Sequence, residues 1–163
     1  AAHALEVHGL KRVAIIDFDV HHGNGTEDIF KGDERVLMAS IFQHPFYPYS
    51  GTDNPAQNMV NIPLPAGSGG EELRDAVNGC WLPRLNEFAP EMVLISAGFD
   101  AHYEDDMGSM KLFEKDYAWV TEQMKAVAAR HSNKRVVSML EGGYVLSALA
   151  RSVGAHLRVL ADL

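Results

Sequence analysis

The stretch Val13 to Gly25, VAIIDFDVHHGNG, decides how the rest of the chain is read. Val13 to Ile16 is a short, apolar, β-branched run, the pattern of a strand buried on both faces. It then turns polar with a period of two. Asp17, Asp19 and His21 alternate, so an extended chain points their side chains to one side. Two carboxylates and an imidazole at a strand end make a ready metal site. Gly23 and Gly25 then allow a tight turn. Thr26 is placed to cap a helix whose first turn carries Glu27 and Asp28.

Outward from this strand the pattern repeats. Arg12–Phe18, Arg35–Ile41, Met92–Ser96 and Arg135–Leu140 read as four buried strands, and Met59–Pro65 as a shorter one near an edge because of its prolines. Helical spacing links them over Gly25–Phe30, over Glu71–Phe88 with a kink at Pro83, through Phe113, Tyr117, Val120, Met124 and Val127, and from Leu146 to Leu160. In the last helix Leu149, Val153, Leu157 and Leu160 form the expected inner face. Strands alternating with helices predict an α/β fold of three layers, a mostly parallel sheet with helices on both faces, in one domain over residues 1–163. In such sheets all strand C-termini share one edge, and ligands bind there. Asp17, Asp19, His21, Ser40, Asp100 and Tyr144 all follow or end a strand. A 17-residue loop from Phe42 to Asn58 (FQHPFYPYSGTDNPAQN) with four aromatics is long enough to suggest function.

Composition bounds the rest. A chain of 163 residues, 47% hydrophobic and 22% charged, is ordinary for a globular domain. A net charge of −8 with no Lys/Arg stripe argues against direct nucleic-acid binding. No apolar run reaches membrane-spanning length, and no signal pattern opens the chain. The single cysteine, Cys80, fits a reducing, cytoplasmic compartment. Homo-oligomerisation stays open.

Asp19, His21 and Asp100 would give a metal three ligands and leave one position open, the arrangement of a catalytic zinc. Tyr144, after Gly142-Gly143, would hydrogen-bond a developing oxyanion from the opposite side. No general base is legible. His22 points away from His21 and reads as structural. His102 follows Asp100 on a polar, mobile-looking loop. His3, His8, His44, His131 and His156 read as surface histidines.

The blocks IDFDVHHGNG (Ile16–Gly25), SAGFD (Ser96–Asp100) and EGGY (Glu141–Tyr144) resemble three signature blocks of the histone deacetylase family, which includes acetylpolyamine amidohydrolases and acetoin-utilisation proteins. Asn24 and Glu141 resemble the class II or bacterial branch. The resemblance implies an arginase/deacetylase fold and zinc-dependent hydrolysis of an acetylated amine, acetyl-lysine or acetylpolyamine, releasing acetate. It implies zinc on Asp19, His21 and Asp100, and Tyr144 on the acyl oxygen. Asp17 would orient a catalytic histidine and line a potassium site with Ser40 and the carbonyls of Asp19, His21 and Ile41. A second monovalent site would use carbonyls of Phe30, Asp33 and Val36. Tyr47, Met107, Gly142 and Gly143 would border the substrate, and Asn24 would pair with the second histidine of a catalytic pair. That histidine pair lies upstream in the family and is absent here. The chain is therefore expected to be the C-terminal part of a catalytic domain, nearly inactive alone, with its first strand flanked by strands of the missing part. Two other readings are an arginase-type ureohydrolase with a binuclear manganese cluster and a non-catalytic deacetylase-like binding module.

Overall fold

The computed structural model describes residues 1–163. Its elements run α1 (Ala2–Glu6), β1 (Val13–Asp17), α2 (Asn24–Phe30), β2 (Val36–Gln43), β3 (Met59–Leu64), α3 (Gly70–Ala76), a π-helical turn (Val77–Trp81), α4 (Leu82–Phe88), β4 (Met92–Ala97), α5 (Glu114–His131), β5 (Val136–Leu140) and α6 (Leu146–Leu160). Five strands form one sheet in the order β3-β2-β1-β4-β5, every pairing parallel. Each crossover carries a strand back to the same starting edge, so the loops after β1, β4 and β5 meet at the opposite one. No helix is long and apolar enough to cross a membrane.

The apolar alternation of β1 assigns the two faces. Ala14, Ile16 and Phe18 enter a 26-residue core with Leu73, Trp81, Leu85, Tyr117, Val120 and Met124, roofed by α3 to α6. Val13 and Ile15 point the other way, into a cluster of six buried residues closed by Ala4 and Leu5 of α1. One face is thus deeply covered and the other thinly.

Local chemistry starts the roofing helices. Glu72 reaches back to accept the backbone N–H of Gly69 at 2.8 Å, and Asp116 accepts that of Phe113 at 3.0 Å. In each, a carboxylate at the third helical position satisfies a donor the helix cannot. The predicted kink at Pro83 is a π-turn: the N–H of Leu82 bonds back to the carbonyl of Val77, and Pro83, which has no N–H to donate, stands in the first turn of α4.

Several expectations need correcting. β1 is the central strand, flanked by β2 and β4 of this same chain. β5 is an edge strand and is not buried: Val137 is 42% and Met139 45% exposed. α6 buries Ala148, Ser152 and His156, with Leu149 and Val153 packed beside the core and Leu157 exposed, because the helix is turned to bring His156 inward. Phe113 is the cap of α5, exposed and stacked on Tyr103 with ring centroids 5.5 Å apart. α2 starts at Asn24 with Gly23 as its cap, so Thr26 lies inside the first turn.

Candidate metal centre

Two loops at the C-terminal edge, after β1 and after β4, bring Asp19, His21 and Asp100 together, with their ligand atoms all within 4.8 Å of one another. His21 Nδ1 stands 3.0 Å from Asp19 Oδ1 and 3.2 Å from Asp100 Oδ2. Each carboxylate is aimed by the backbone. Asp100 Oδ1 accepts the N–H of Val20 at 2.9 Å, and Asp19 Oδ2 accepts the N–H of Gly142 at 2.9 Å. Asp100 Oδ2 is buried without a well-aligned donor. An orphaned carboxylate oxygen aimed at a second carboxylate and an imidazole fits a cation between them.

Glycine makes this convergence possible. A Cβ on Gly98 would collide with Asp19, and one on Gly142 would run into the carboxylates of both Asp100 and Asp19. Only a backbone without side chains lets the β4 and β5 loops close on the β1 loop.

The electrostatics favour a positive charge. Hydrogen bonding to Asp100 and then to Asp19 pushes the His21 imidazole up to about 10. Burial raises the Asp19 carboxyl, but hydrogen bonds from the His21 ring and from the N–H groups of His21 and Gly142 hold it below the usual range. Asp100 is raised, chiefly by burial. Burial also pushes Asp17 well above the usual carboxylate range. Its Oδ1 accepts the N–H of Asp19 at 3.1 Å, fixing the turn that carries the ligands.

Aromatic walls stand over His21. Phe46 stacks on it at 5.4 Å with 23° between planes, and Tyr47 meets it edge-on at 6.1 Å. Tyr47, Met107 and Tyr144 are all exposed. Burial, then the charges of Asp100, Asp19 and Asp105, raises the Tyr144 hydroxyl above its usual range. It therefore keeps its proton at neutral pH and can donate a hydrogen bond.

His22 faces away from the cluster, as its structural reading requires. Its Nδ1 lies 2.8 Å from Ser50 Oγ and its Nε2 2.9 Å from Glu27 Oε2, and Gly51 packs against the ring. It thereby ties the aromatic loop to α2. Three other histidines depart from expectation. His102 is buried beneath Phe113, its Nδ1 accepting the N–H of Glu104 at 3.1 Å and its Nε2 3.5 Å from Glu114. His156, read as a surface residue, is buried between Thr121 Oγ1 (2.7 Å) and Ser138 Oγ (2.8 Å). His44 is half-buried, with its Nδ1 enclosed. None of these three joins Asp19, His21 and Asp100. Asn24 is exposed.

Asp105 is the residue that sequence reasoning missed. Its Oδ1 accepts the N–H of Met107 at 3.0 Å; its Oδ2 accepts those of Tyr144 at 2.7 Å and Val145 at 3.2 Å. One buried carboxylate clamps two of the loops around the site. An aspartate bonding the N–H two residues on is a turn signal legible in a sequence, but its partners across the fold are not.

For monovalent cations the two proposed sites differ. Ser40 sits opposite Asp17 in the parallel register, and its buried hydroxyl has no partner, so this pair fits a cation. The carbonyls of Phe30, Asp33 and Val36 are instead occupied by the Asn58 amide, at 2.8, 3.1 and 3.0 Å. Those three residues do not fit the expected ion.

A histone deacetylase domain model matches residues 1–160. The chain is 42% identical over 142 residues to a probable deacetylase of Archaeoglobus fulgidus, covering 83% of this chain and 40% of that protein. It is 35% identical over 144 residues to a histone deacetylase-like amidohydrolase of Pseudomonas aeruginosa, covering 84% of this chain and 38% of the relative. It superposes on the crystal structure of the HDA15 HD domain with a TM-score of 0.90 and 33% identity, covering 99% of this chain and 48% of the other. The chain thus spans less than half the length of these relatives.

Proposed function

The chain belongs to the histone deacetylase family, and on that premise we propose that it carries the metal-binding part of a hydrolase that cleaves the amide of an acetylated amine, acetyl-lysine or an acetylpolyamine, and releases acetate. The observation that carries this reading is the meeting of Asp19, His21 and Asp100 at a rim that also bears Tyr144. Those three residues would hold zinc, which when bound supplies a Lewis acid for the acyl carbonyl and acidifies a water.

The chain's own residues do the rest. Backbone N–H groups aim both carboxylates, those of His21 and Gly142 on the two oxygens of Asp19 and that of Val20 on one oxygen of Asp100, so the ligand geometry is set in advance. Tyr144, protonated at neutral pH, donates its hydroxyl to the oxygen that gains negative charge as the carbonyl becomes tetrahedral. Phe46 and Tyr47 shield the imidazole of His21 and offer apolar faces to an aliphatic amine stem. Gly142 and Gly143 let that stem approach the backbone. Met107 borders the same opening. Asp17 holds the turn that bears the ligands and would orient an incoming imidazole. A potassium ion beside Asp17 and Ser40, with the carbonyls of Asp19, His21 and Ile41, would compensate the buried carboxylate. The general base comes from outside residues 1–163, since every histidine here other than His21 is engaged or placed elsewhere. The working compartment is reducing and cytoplasmic, as the single free Cys80 suits.

The test is turnover of an acetyl-lysine peptide and an N-acetylpolyamine by the full reading frame that contains these residues. Tyr144→Phe is expected to retain zinc and lose on the order of 10²–10³-fold in turnover. Full activity in that variant rejects the role of Tyr144. Binding of acetylated peptide with no hydrolysis favours a non-catalytic module, and two manganese ions per chain favour a ureohydrolase.

A further inference from the structure

We infer that the Asn58 side chain is a permanent internal substitute for a monovalent cation at the carbonyls of Phe30, Asp33 and Val36, so that this corner of the fold is ion-independent. Three backbone carbonyls converge there because α2 ends at Phe30, the chain turns, and β2 begins at Val36. The carbonyls of Phe30 and Asp33 each already accept a backbone N–H at 3.0 Å, from Asp33 and Val36. Their second lone pairs, with that of Val36, are left facing one point. Asn58 Nδ2 occupies that point, 2.8 Å from Phe30 O, 3.1 Å from Asp33 O and 3.0 Å from Val36 O.

The amide orientation is fixed by chemistry. Asn58 Oδ1 accepts the N–H of Gly32 at 2.9 Å, so the NH₂ group must face the carbonyls. The backbone is pinned as well, since the carbonyl of Asn58 accepts the N–H of Met38 at 3.0 Å where β3 joins the sheet. The nearest carboxylate is also committed. Asp33 accepts the Nε and backbone N–H of Arg35 at 3.0 Å each and its second guanidinium nitrogen at 2.8 Å. A cation would have to displace a neutral amide whose two N–H groups are shared among the three oxygens, with no free anionic partner to compensate. The amide also joins the end of α2, the turn and the start of β3, the mechanical role an ion would otherwise serve.

This inference concerns stability and stands apart from the catalytic reading. The experiment uses the whole chain in three forms: wild type, Asn58→Asp and Asn58→Ala. Melting temperature is measured as potassium chloride replaces choline chloride at constant ionic strength. Asn58→Asp keeps the shape but turns an oxygen toward the three carbonyls. It is expected to melt lower in choline and to regain more with potassium than wild type does. Any response through Asp17 and Ser40 is common to all forms and cancels in the difference. Asn58→Ala opens the same space without adding charge, and is expected to gain a potassium response if Asn58→Asp does not fold. Rubidium-soaked wild-type crystals should give no anomalous peak among these carbonyls. A peak there with the amide displaced overturns the inference, as does an equal potassium response in wild type and variants.

Discussion

The buried carboxylate of Asp105 holds the backbone N–H of Tyr144 at 2.7 Å, across 39 residues of sequence. The same carboxylate fixes Met107, so one side chain sets the spacing of two parts of the rim. Asp105→Asn leaves one oxygen but replaces the other acceptor with a donor facing N–H groups. Zinc stoichiometry should stay at wild type, because Asp105 touches none of the three ligands. Turnover should fall by at least about tenfold through kcat, since a misplaced donor at the reacting carbonyl loses most of its effect. Unchanged kcat would show that Tyr144 is positioned by other means.

Metal affinity depends on the two carboxylates acting together. Asp100→Ala removes a buried ligand and leaves Asp19 and His21 with two donor atoms. Stoichiometric zinc binding, read by calorimetry or by metal analysis after dialysis, is expected to be lost. Asp100→Asn should bind weakly at best, since a neutral amide is a poor zinc ligand. Wild-type affinity in either variant would place the metal elsewhere.

His156 gives the fold a pH dependence away from the metal. Thr121 Oγ1 donates to the carbonyl of Tyr117, so it accepts from His156 Nδ1–H, and Nε2 accepts from Ser138. Both ring nitrogens are thus committed in the neutral form, and burial pushes the imidazole from 6.5 down to about 4. Between those values the unfolded chain holds a proton that the folded one lacks, so stability rises with pH across that window. It is fully present above pH 6.5 and lost as pH falls toward 4. At about 1.4 kcal/mol per pKa unit, the loss is on the order of 3 kcal/mol. Urea titrations at several pH values check this, and His156→Gln should flatten the slope. An unchanged slope would assign it to another group.

The thin face of the sheet has consequences in solution. Met92, Leu94, Val137 and Met139 line an apolar hollow beside α1, and β5 presents an unpaired edge. The isolated chain is expected to self-associate at micromolar concentration. Val137→Thr with Met139→Lys should shift it toward monomer in gel filtration while changing the unfolding free energy by no more than about 0.5 kcal/mol per substitution, as exposed substitutions do. A monodisperse wild-type monomer would count against this.

Much of this molecule is legible in its sequence because the physics involved is local. Apolar β-branched runs specify parallel strands, and their polar ends specify which edge carries chemistry; Asp19 and His21 lie just past the end of β1, in a turn where the Asp19 carboxylate accepts the N–H of His21 at 2.8 Å. Asp100 and Tyr144 likewise follow the ends of β4 and β5. The tertiary structure alone decided the rest, because burial and pairing depend on residues far apart in the chain. β5 has the composition of a buried strand, yet Val137 and Met139 lie on the sheet face that only α1 thinly covers and are left exposed. His156 sits in a helical pattern indistinguishable from a surface one until Thr121 and Ser138 close on its two nitrogens. Asp105 and Asn58 are polar loop residues in sequence. Their roles come from backbone groups tens of residues away, which converge only when the sheet has assembled.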